Sequence, residues 1–533
     1  MAPKQKQRKP EYGVVFPVPP GVEPPPNGAP RSTTWANQEV LAVAVENHDA
    51  DLARAIRAEK NWRNKYKDYY VKMVELSLKS PETGVSIART ALSFCENSFE
   101  FVRPDQPAQS LREAFDQRTP NPFETRTVRG KGERKSVLEV PYKGKILSGN
   151  ALLSQLDEWV ERGTIEPDAR DAVSRVLHHP PSLNLSSSPY TFILLGAGAA
   201  MGCLYELLNL GACVVAVDLD AEGVWKRIAK VAEAGAGEVV FPVRQGGWKA
   251  KGWNAGAWEG AGANLITEGP EIKEWLLSVI PPDSQPVICN YAYLDGPAHV
   301  KVALAMDGIG RALCEALPAA TLGYLCTPTD CHVIPREALE GAKKNLEGLW
   351  LPWLVRHVGK LFGPVQVNVR DVVTSVTGEE FAVVDGLMTR QGPNYAFAKR
   401  IQHWRAMVAR EDWRVRVSSN VAPMTRTLSV IHNIVFRFAY GGAHHFAPAE
   451  IFEPSTSTSL MCALLLHDLL PSSPASPTTP LRHPLEIMSR TSAHGGVWRT
   501  SIAIDSVGEY AAALYLADPR NWGGEMKRAM AKL

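Results

Sequence analysis

The chain lacks paired cysteines. Its eight, Cys95, Cys203, Cys213, Cys289, Cys314, Cys326, Cys331 and Cys462, are scattered, several of them inside apolar runs, and none forms a CxxC pair. That pattern excludes a disulfide-stapled scaffold and reads as reduced core thiols in a reducing compartment. Cys326, Cys331 and His332 lie close together but have no second ligand pair at suitable spacing, so they read as loop residues rather than a metal site. Long hydrophobic runs are also missing. No window holds eighteen uncharged apolar residues, which excludes a membrane-spanning segment. Nor does charge of one sign dominate: 58 Lys and Arg against 56 Asp and Glu leave a net charge of +2. Such a balance gives no reason to expect nucleic acid or a membrane surface as partner. The first residues, MAPKQKQRKPEYGVVFPVPPGVEPPP, begin basic, but prolines stand where a signal peptide needs an apolar core.

What is present supports a folded enzyme-sized body. A length of 533 residues and 45% hydrophobic content suffice for a full α/β domain plus a second region. Residues 1–34 are Pro-rich and expected to be a disordered tail. Residues 35–185 carry helical periodicity from Trp35 to Leu92, a polar arm or linker over Arg103 to Lys135, and two shorter helical pieces, LLSQLDEWVERG and DARDAVSRVLHH. A boundary is expected near Pro180 to Pro189, with residues 186–533 forming the main domain and its C-terminal substrate-facing region.

That domain is organised around TFILLGAGAAMGCLYELLNLGACVVAVDLD, residues Thr191 to Asp220. An apolar strand runs into Gly196, Gly198 and Gly202, a helix is expected from Met201, and a second apolar strand ends at Asp218. Gly196 permits a tight turn and Gly198 a close backbone approach to a pyrophosphate, while the helix N-terminus offers free N–H groups. Asp218 stands at the distance where a carboxylate accepts ribose hydroxyls and repels a 2′-phosphate. The expectation is a doubly wound parallel sheet of the Rossmann type, with NAD(H) favoured over NADP(H) as cofactor. After Asp218 come a helix (Glu222 to Ala234), a strand (Glu238 to Val243), a Gly/Trp-rich insertion (Gly246 to Gly262) expected to be a loop or lid, a helix started by Pro270, and a strand ending at Asn290.

Further on, Tyr395 and Lys399 sit four apart at the start of an amphipathic helix and so share a face. An ammonium beside a phenol stabilises the phenolate and suits the pair to proton transfer near neutrality. Together with the glycine turn, these residues resemble the short-chain dehydrogenase/reductase family. Tyr395 and Lys399 match its Tyr-x-x-x-Lys motif. Ser375, after an expected strand Val365 to Val373, matches its substrate-polarising serine, and Asn345 its relay asparagine. Asn290-Tyr291-Ala292 resembles the turn after the fourth strand, Asn264 falls where the family places an aspartate near the adenine, and Val421-Ala422-Pro423 resembles the loop after the sixth strand, near the nicotinamide.

The sequence departs from the family at several points. Cys203 and Leu204 follow Gly202 where a further Gly is usual, and Tyr293 and Met424 replace glycines. The intervals from Asn290 to Asn345 and from Ser375 to Tyr395 are longer than usual.

The resemblance implies an NAD(H)-dependent oxidoreductase that interconverts a small-molecule ketone and a secondary alcohol, and a homo-oligomer paired through long helices. Ser375 and Tyr395 would polarise the carbonyl, with Lys399 and Asn345 resupplying the proton. The enlarged intervals are loosely similar to those of fatty-acid synthase ketoreductase domains, which suggests a 3-oxoacyl or 3-hydroxyacyl thioester or related lipid. The C-terminal Ala531-Lys532-Leu533 resembles the peroxisomal address read by an import receptor, which favours a peroxisome over the cytoplasm in a eukaryotic cell. The rival reading is a non-catalytic dinucleotide-binding or scaffold protein on the same fold. His444 and His445 read as a surface turn rather than substrate contacts, and the loop PSSPASPTTPLRHP as disordered.

Overall fold

A computed structural model describes residues 11–25, 31–245, 260–347, 365–427 and 434–518. Six short runs become six parallel strands: Tyr190–Leu195, Cys213–Val217, Glu238–Arg244, Gln285–Asn290, Thr321–Cys326 and Arg416–Val421. The first five are largely apolar because both faces of the sheet are covered, while the sixth, RVSSNV, buries Ser418 and Asn420 as donors to the Asp468 carboxylate. In space the order is third, second, first, fourth, fifth, sixth, and Phe123–Arg129 adds an antiparallel seventh strand beside the third. The chain is therefore α/β with a mixed seven-stranded sheet. Its winding reverses between the first and fourth strands, which pair in register from Tyr190 with Gln285 to Leu195 with Asn290. In open α/β sheets a crevice forms outside the carboxyl ends of the strands at such a reversal.

Alternation along the strands divides the core in two. Ile193 and Leu195 face one hydrophobic cluster, and Phe192 and Leu194 the other. The first cluster is built with the helices Thr33–Glu46 and Pro81–Ser98, which pack on the long helix Pro393–Glu411. Arg405 of that helix lies buried between Asp307, at 2.7 Å, and Glu96, also at 2.7 Å, tying three elements together. An unpaired buried guanidinium would be costly, so these carboxylates are needed where they stand.

The sequence-based boundary near Pro180 is not a physical division. The arm expected over Arg103 to Lys135 contains the helix Leu111–Asp116 and supplies the antiparallel edge strand, so the N-terminal region shares the sheet. Nor is all of 1–34 a loose tail: Gly13–Val15 pairs with Glu100–Val102, burying Val14, Val15 and Phe16. Proline content masked that short apolar run. Both long helices, Pro297–Ala316 and Pro393–Glu411, are largely buried within the chain, so the faces through which the resemblance implies subunits pair are already covered.

Other expectations shift locally. The helix expected from Met201 begins only at Leu204 and is six residues long, since Gly198 and Gly202 favour turns over helix. The helix expected to start at Pro270 starts at Leu265, capped by Asn264, and is kinked at Glu268. No strand covers 365–373 among the described residues; only Val373–Thr374 is extended in a sheet there. The Ser/Pro loop after Leu470 is packed rather than loose: Ser473 is fully buried, Val417 N–H donates to the Ala475 carbonyl at 3.1 Å, and Arg410 to that of Ser476. Its serines and threonines close local turns, which polarity alone does not reveal. Cys326 ends the fifth strand and Cys331 and His332 open another, all three buried, where loop residues were expected. Residues 246–259 of the expected lid and the terminal Ala531-Lys532-Leu533 lie outside the described residues. Among the described residues no helix is long and apolar enough to cross a membrane.

Candidate functional site

A cleft of about 480 Å³ opens at the carboxyl ends of the strands where the winding reverses. The first strand delivers Gly196, whose φ of +95° an L side chain rarely adopts; a Cβ there would stand 2.5 Å from the Ala292 Cα. Glycine at this turn lets the ends of the first and fourth strands approach, and Ala292 joins the cleft wall. Gly198 and Met201 follow along the same wall. Gly202 stands just behind it, where a Cβ would press on the Tyr291 ring at 3.4 Å. Asp218 follows directly on the second strand, and its carboxylate accepts the N–H of Gly198 at 2.7 Å and of Leu219 at 2.8 Å. Burial nevertheless raises its pKa above the usual carboxylate value, with the nearby Arg227 charge among the opposing influences.

Asn264, at the N-cap of its helix, and Asn290, at the tip of the fourth strand, complete this half. The side-chain oxygen of Asn290 is buried and has no hydrogen-bond partner. A buried orphan acceptor in a cleft wall is costly unless a ligand satisfies it. Pro423, in the loop after the sixth strand, faces the same space.

The long helix Pro393–Glu411 brings Tyr395 and Lys399 into the cleft opposite the glycine turn. Their surroundings differ from the simple phenol–ammonium pair expected. The Lys399 Nζ donates to the Leu325 carbonyl at 3.1 Å and to Gln402 Oε1 at 3.3 Å. Burial lowers its pKa. Burial likewise raises the Tyr395 phenol above 10, while hydrogen bonds from Thr327 and Thr329 pull the other way. In this structure desolvation therefore outweighs stabilisation of the phenolate, and the phenol is protonated at neutral pH. His299 lies against it, ring centroids 5.3 Å apart, and burial together with the Lys399 charge keeps that imidazole neutral. Tyr293 is turned aside by its bond to Asp295 at 2.8 Å and meets Tyr395 edge-on at 6.2 Å.

Two expected residues are not in the cleft. Ser375 closes a turn, its Oγ accepting the Glu379 N–H at 3.0 Å and bonded to the Thr377 hydroxyl at 2.8 Å. Asn345, on the helix Arg336–Glu347, donates to the Arg499 carbonyl at 2.8 Å. Both assignments fail for one reason: the fifth strand is Thr321–Cys326, not Val365 to Val373, so the chain reaches the cleft some fifty residues earlier than the sequence spacing suggested. The hydroxyls at that strand's end are Thr327 and Thr329, 2.7 Å from each other, which line the cleft with Tyr395 and draw the phenol's pKa down. The apolar run TLGYLC followed by Thr-Pro-Thr was the legible signal for them. Tyr440 and Gln391, also missed, line the same end of the cleft. His444 and His445 do not line it; their rings lie 4.1 Å apart in a short turn, and His444 bonds the Gly441 carbonyl.

The loop bearing Pro423 is held from behind. Ala493 N–H donates to the Val421 carbonyl, and Glu166 binds both His494, at 2.9 Å, and Arg499, at 2.7 Å. The two partners hold the buried Glu166 carboxyl down at about 2 against the opposing effect of burial. No family model, no curated protein and no solved structure matches the chain.

Proposed function

We propose that the chain is an NAD(H)-dependent oxidoreductase of the short-chain dehydrogenase/reductase kind, built on a Rossmann-type sheet, and that it interconverts a ketone and a secondary alcohol. The observation that carries this reading is the meeting, in one cleft, of the Gly196–Gly198 turn, Asp218 and the unpaired Asn290 oxygen with Tyr395, Lys399 and two threonine hydroxyls. The six parallel strands, in their reversed order, also support the Rossmann-type sheet.

The residues fit a dinucleotide. Both Asp218 oxygens accept one backbone N–H and keep a further lone pair for ribose hydroxyls, and Gly196 and Gly198 line the cleft without side chains that would bar a pyrophosphate. The bound cofactor would supply or accept the hydride. At the opposite end, the Thr327 or Thr329 hydroxyl and Tyr395 would bind the substrate oxygen, taking the role that the sequence assigned to Ser375. Tyr395, protonated at neutral pH, donates its proton to the developing alkoxide, and the half-buried Lys399 beside it restores that proton. The resting state is thus set for ketone reduction, and alcohol oxidation requires higher pH.

Two observations favour second readings. Arg227 lines the cleft near Asp218, which would suit the 2′-phosphate of NADP(H). The exclusion of Ser375 and Asn345 favours a binding protein without turnover. Fluorescence titration with NADH and NADPH, followed by a panel of ketones and secondary alcohols, separates these. NADH binding with turnover is the expected result; tighter NADPH binding changes the cofactor, binding alone favours the scaffold, and no binding of either rejects the proposal.

A further inference from the structure

Beyond the Tyr395 end of the cleft lies a second cavity of about 70 Å³, walled almost wholly by carbon. Met424 and Tyr440 line both spaces and so stand between them. Its far side is formed by the helices Ile434–Gly442 and Gly508–Ala517. These pack backbone to backbone: a Cβ on Gly442 would overlap the Ala511 carbonyl oxygen. Alanines at 439, 443 and 511 leave the space, and Phe436, Phe446 and Ile502 bound it.

The charged groups around this cavity are engaged elsewhere. Arg390 pairs with Glu509, and Asp505 accepts from Lys67 Nζ at 2.7 Å and from the Thr389 hydroxyl at 2.7 Å. Among the described residues that line it, no cation is left to receive a carboxylate or phosphate, and burying an unpaired anion beside these carbons would be costly.

We infer that this second cavity receives an unbranched, uncharged hydrocarbon arm of the substrate, whose oxygen-bearing carbon sits at Tyr395 and whose chain passes between Met424 and Tyr440. The inference rests on the proposed ketone–alcohol chemistry for its placement, but it concerns a separate binding site. The substrate class is then a ketone or secondary alcohol with one straight apolar substituent ending in a methyl group. Each methylene moved from water into such a cavity strengthens binding about fourfold, until the space is filled.

The experiment is a homologous series from 2-butanone to 2-octanone, measured for kcat/KM with NADH and, in parallel, for calorimetric binding of the matching 2-alkanols. The wild-type protein should show kcat/KM and affinity rising about fourfold per carbon before levelling. Ala439→Phe, which fills the cavity from one helix, should flatten both series by tenfold or more at the long end, while NADH binding and 2-butanone turnover stay within twofold. Ala443→Leu, from the end of the same wall, is the second variant should the first fail to fold, which loss of NADH binding would reveal. A flat wild-type series, or a rising series that neither folded variant alters, overturns the inference. If no ketone is turned over but alkanol affinity still rises with length and Ala439→Phe abolishes the rise, the cavity assignment stands and the proposed reaction falls.

Discussion

Replacing Thr329 by valine keeps the side-chain shape and removes one hydroxyl from the pair that lines the cleft with Tyr395. Thr329 is 5% exposed, and its loss leaves the Thr327 hydroxyl without its 2.7 Å partner, which should cost about 1 kcal/mol of stability. The catalytic cost should be larger. A donor aimed at an oxygen that gains charge in the transition state is worth about 10²–10³ in kcat. There is also a directional signature. The Thr329 hydroxyl favours the ionised phenol, so its removal raises the Tyr395 pKa further. Alcohol oxidation, which needs the phenolate, should then begin its rise at higher pH in Thr329→Val than in wild type, while ketone reduction keeps its neutral-pH plateau. The assay is NADH absorbance in both directions across pH, with Ser375→Ala as comparison. Ser375→Ala should stay within twofold of wild type, because that hydroxyl serves a turn outside the cleft. Full activity and an unmoved pH profile in Thr329→Val, or an equal loss in Ser375→Ala, would refute the assignment of the substrate-polarising hydroxyls.

Two further outcomes are expected. Gly196→Ala places a Cβ against the Ala292 backbone at a φ of +95°, so it should lower the melting temperature and weaken NADH binding more than tenfold by fluorescence titration. Unchanged affinity would show that this turn does not touch the cofactor. The second concerns pH and stability. The Glu166 carboxyl is held at about 2 when folded and takes an ordinary value near 4.5 when unfolded. Its ion pair therefore stabilises the fold fully above about pH 4.5 and loses ~3 kcal/mol as pH falls towards 2. Glu166→Gln should be less stable in urea at pH 6, and its stability should fall less steeply between pH 4.5 and 3. Parallel pH dependences would contradict this account of the pair.

The part of the site governed by local chemistry was legible from residues alone. Gly196, Asp218, Asn264, Asn290 and Pro423 each stand at or just beyond the end of a strand or at the start of a helix, and alternation and glycine geometry locate such places. Tyr395 and Lys399 were legible because helical spacing puts them on one face. Ser375 and Asn345 failed because their assignment depended on which apolar run was the fifth strand. A run of β-branched residues at 365–373 looked as good as TLGYLC at 321–326, and only tertiary pairing with the sixth strand decides between them. The edge strand Phe123–Arg129 was hidden for a similar reason: its alternation is polar on the exposed side, and its partner lies more than a hundred residues away. The lysine's weak influence on the phenol was also beyond sequence, since it depends on the carbonyl of Leu325 capturing the ammonium.

The central claim is that Tyr395 exchanges a proton with substrate beside a bound dinucleotide. Tyr395→Phe removes one oxygen and nothing else from the cleft. With a ketone that the wild-type protein reduces, the variant should bind NADH within twofold of wild type and lose at least a thousandfold in kcat. Retained turnover in that variant would contradict the account.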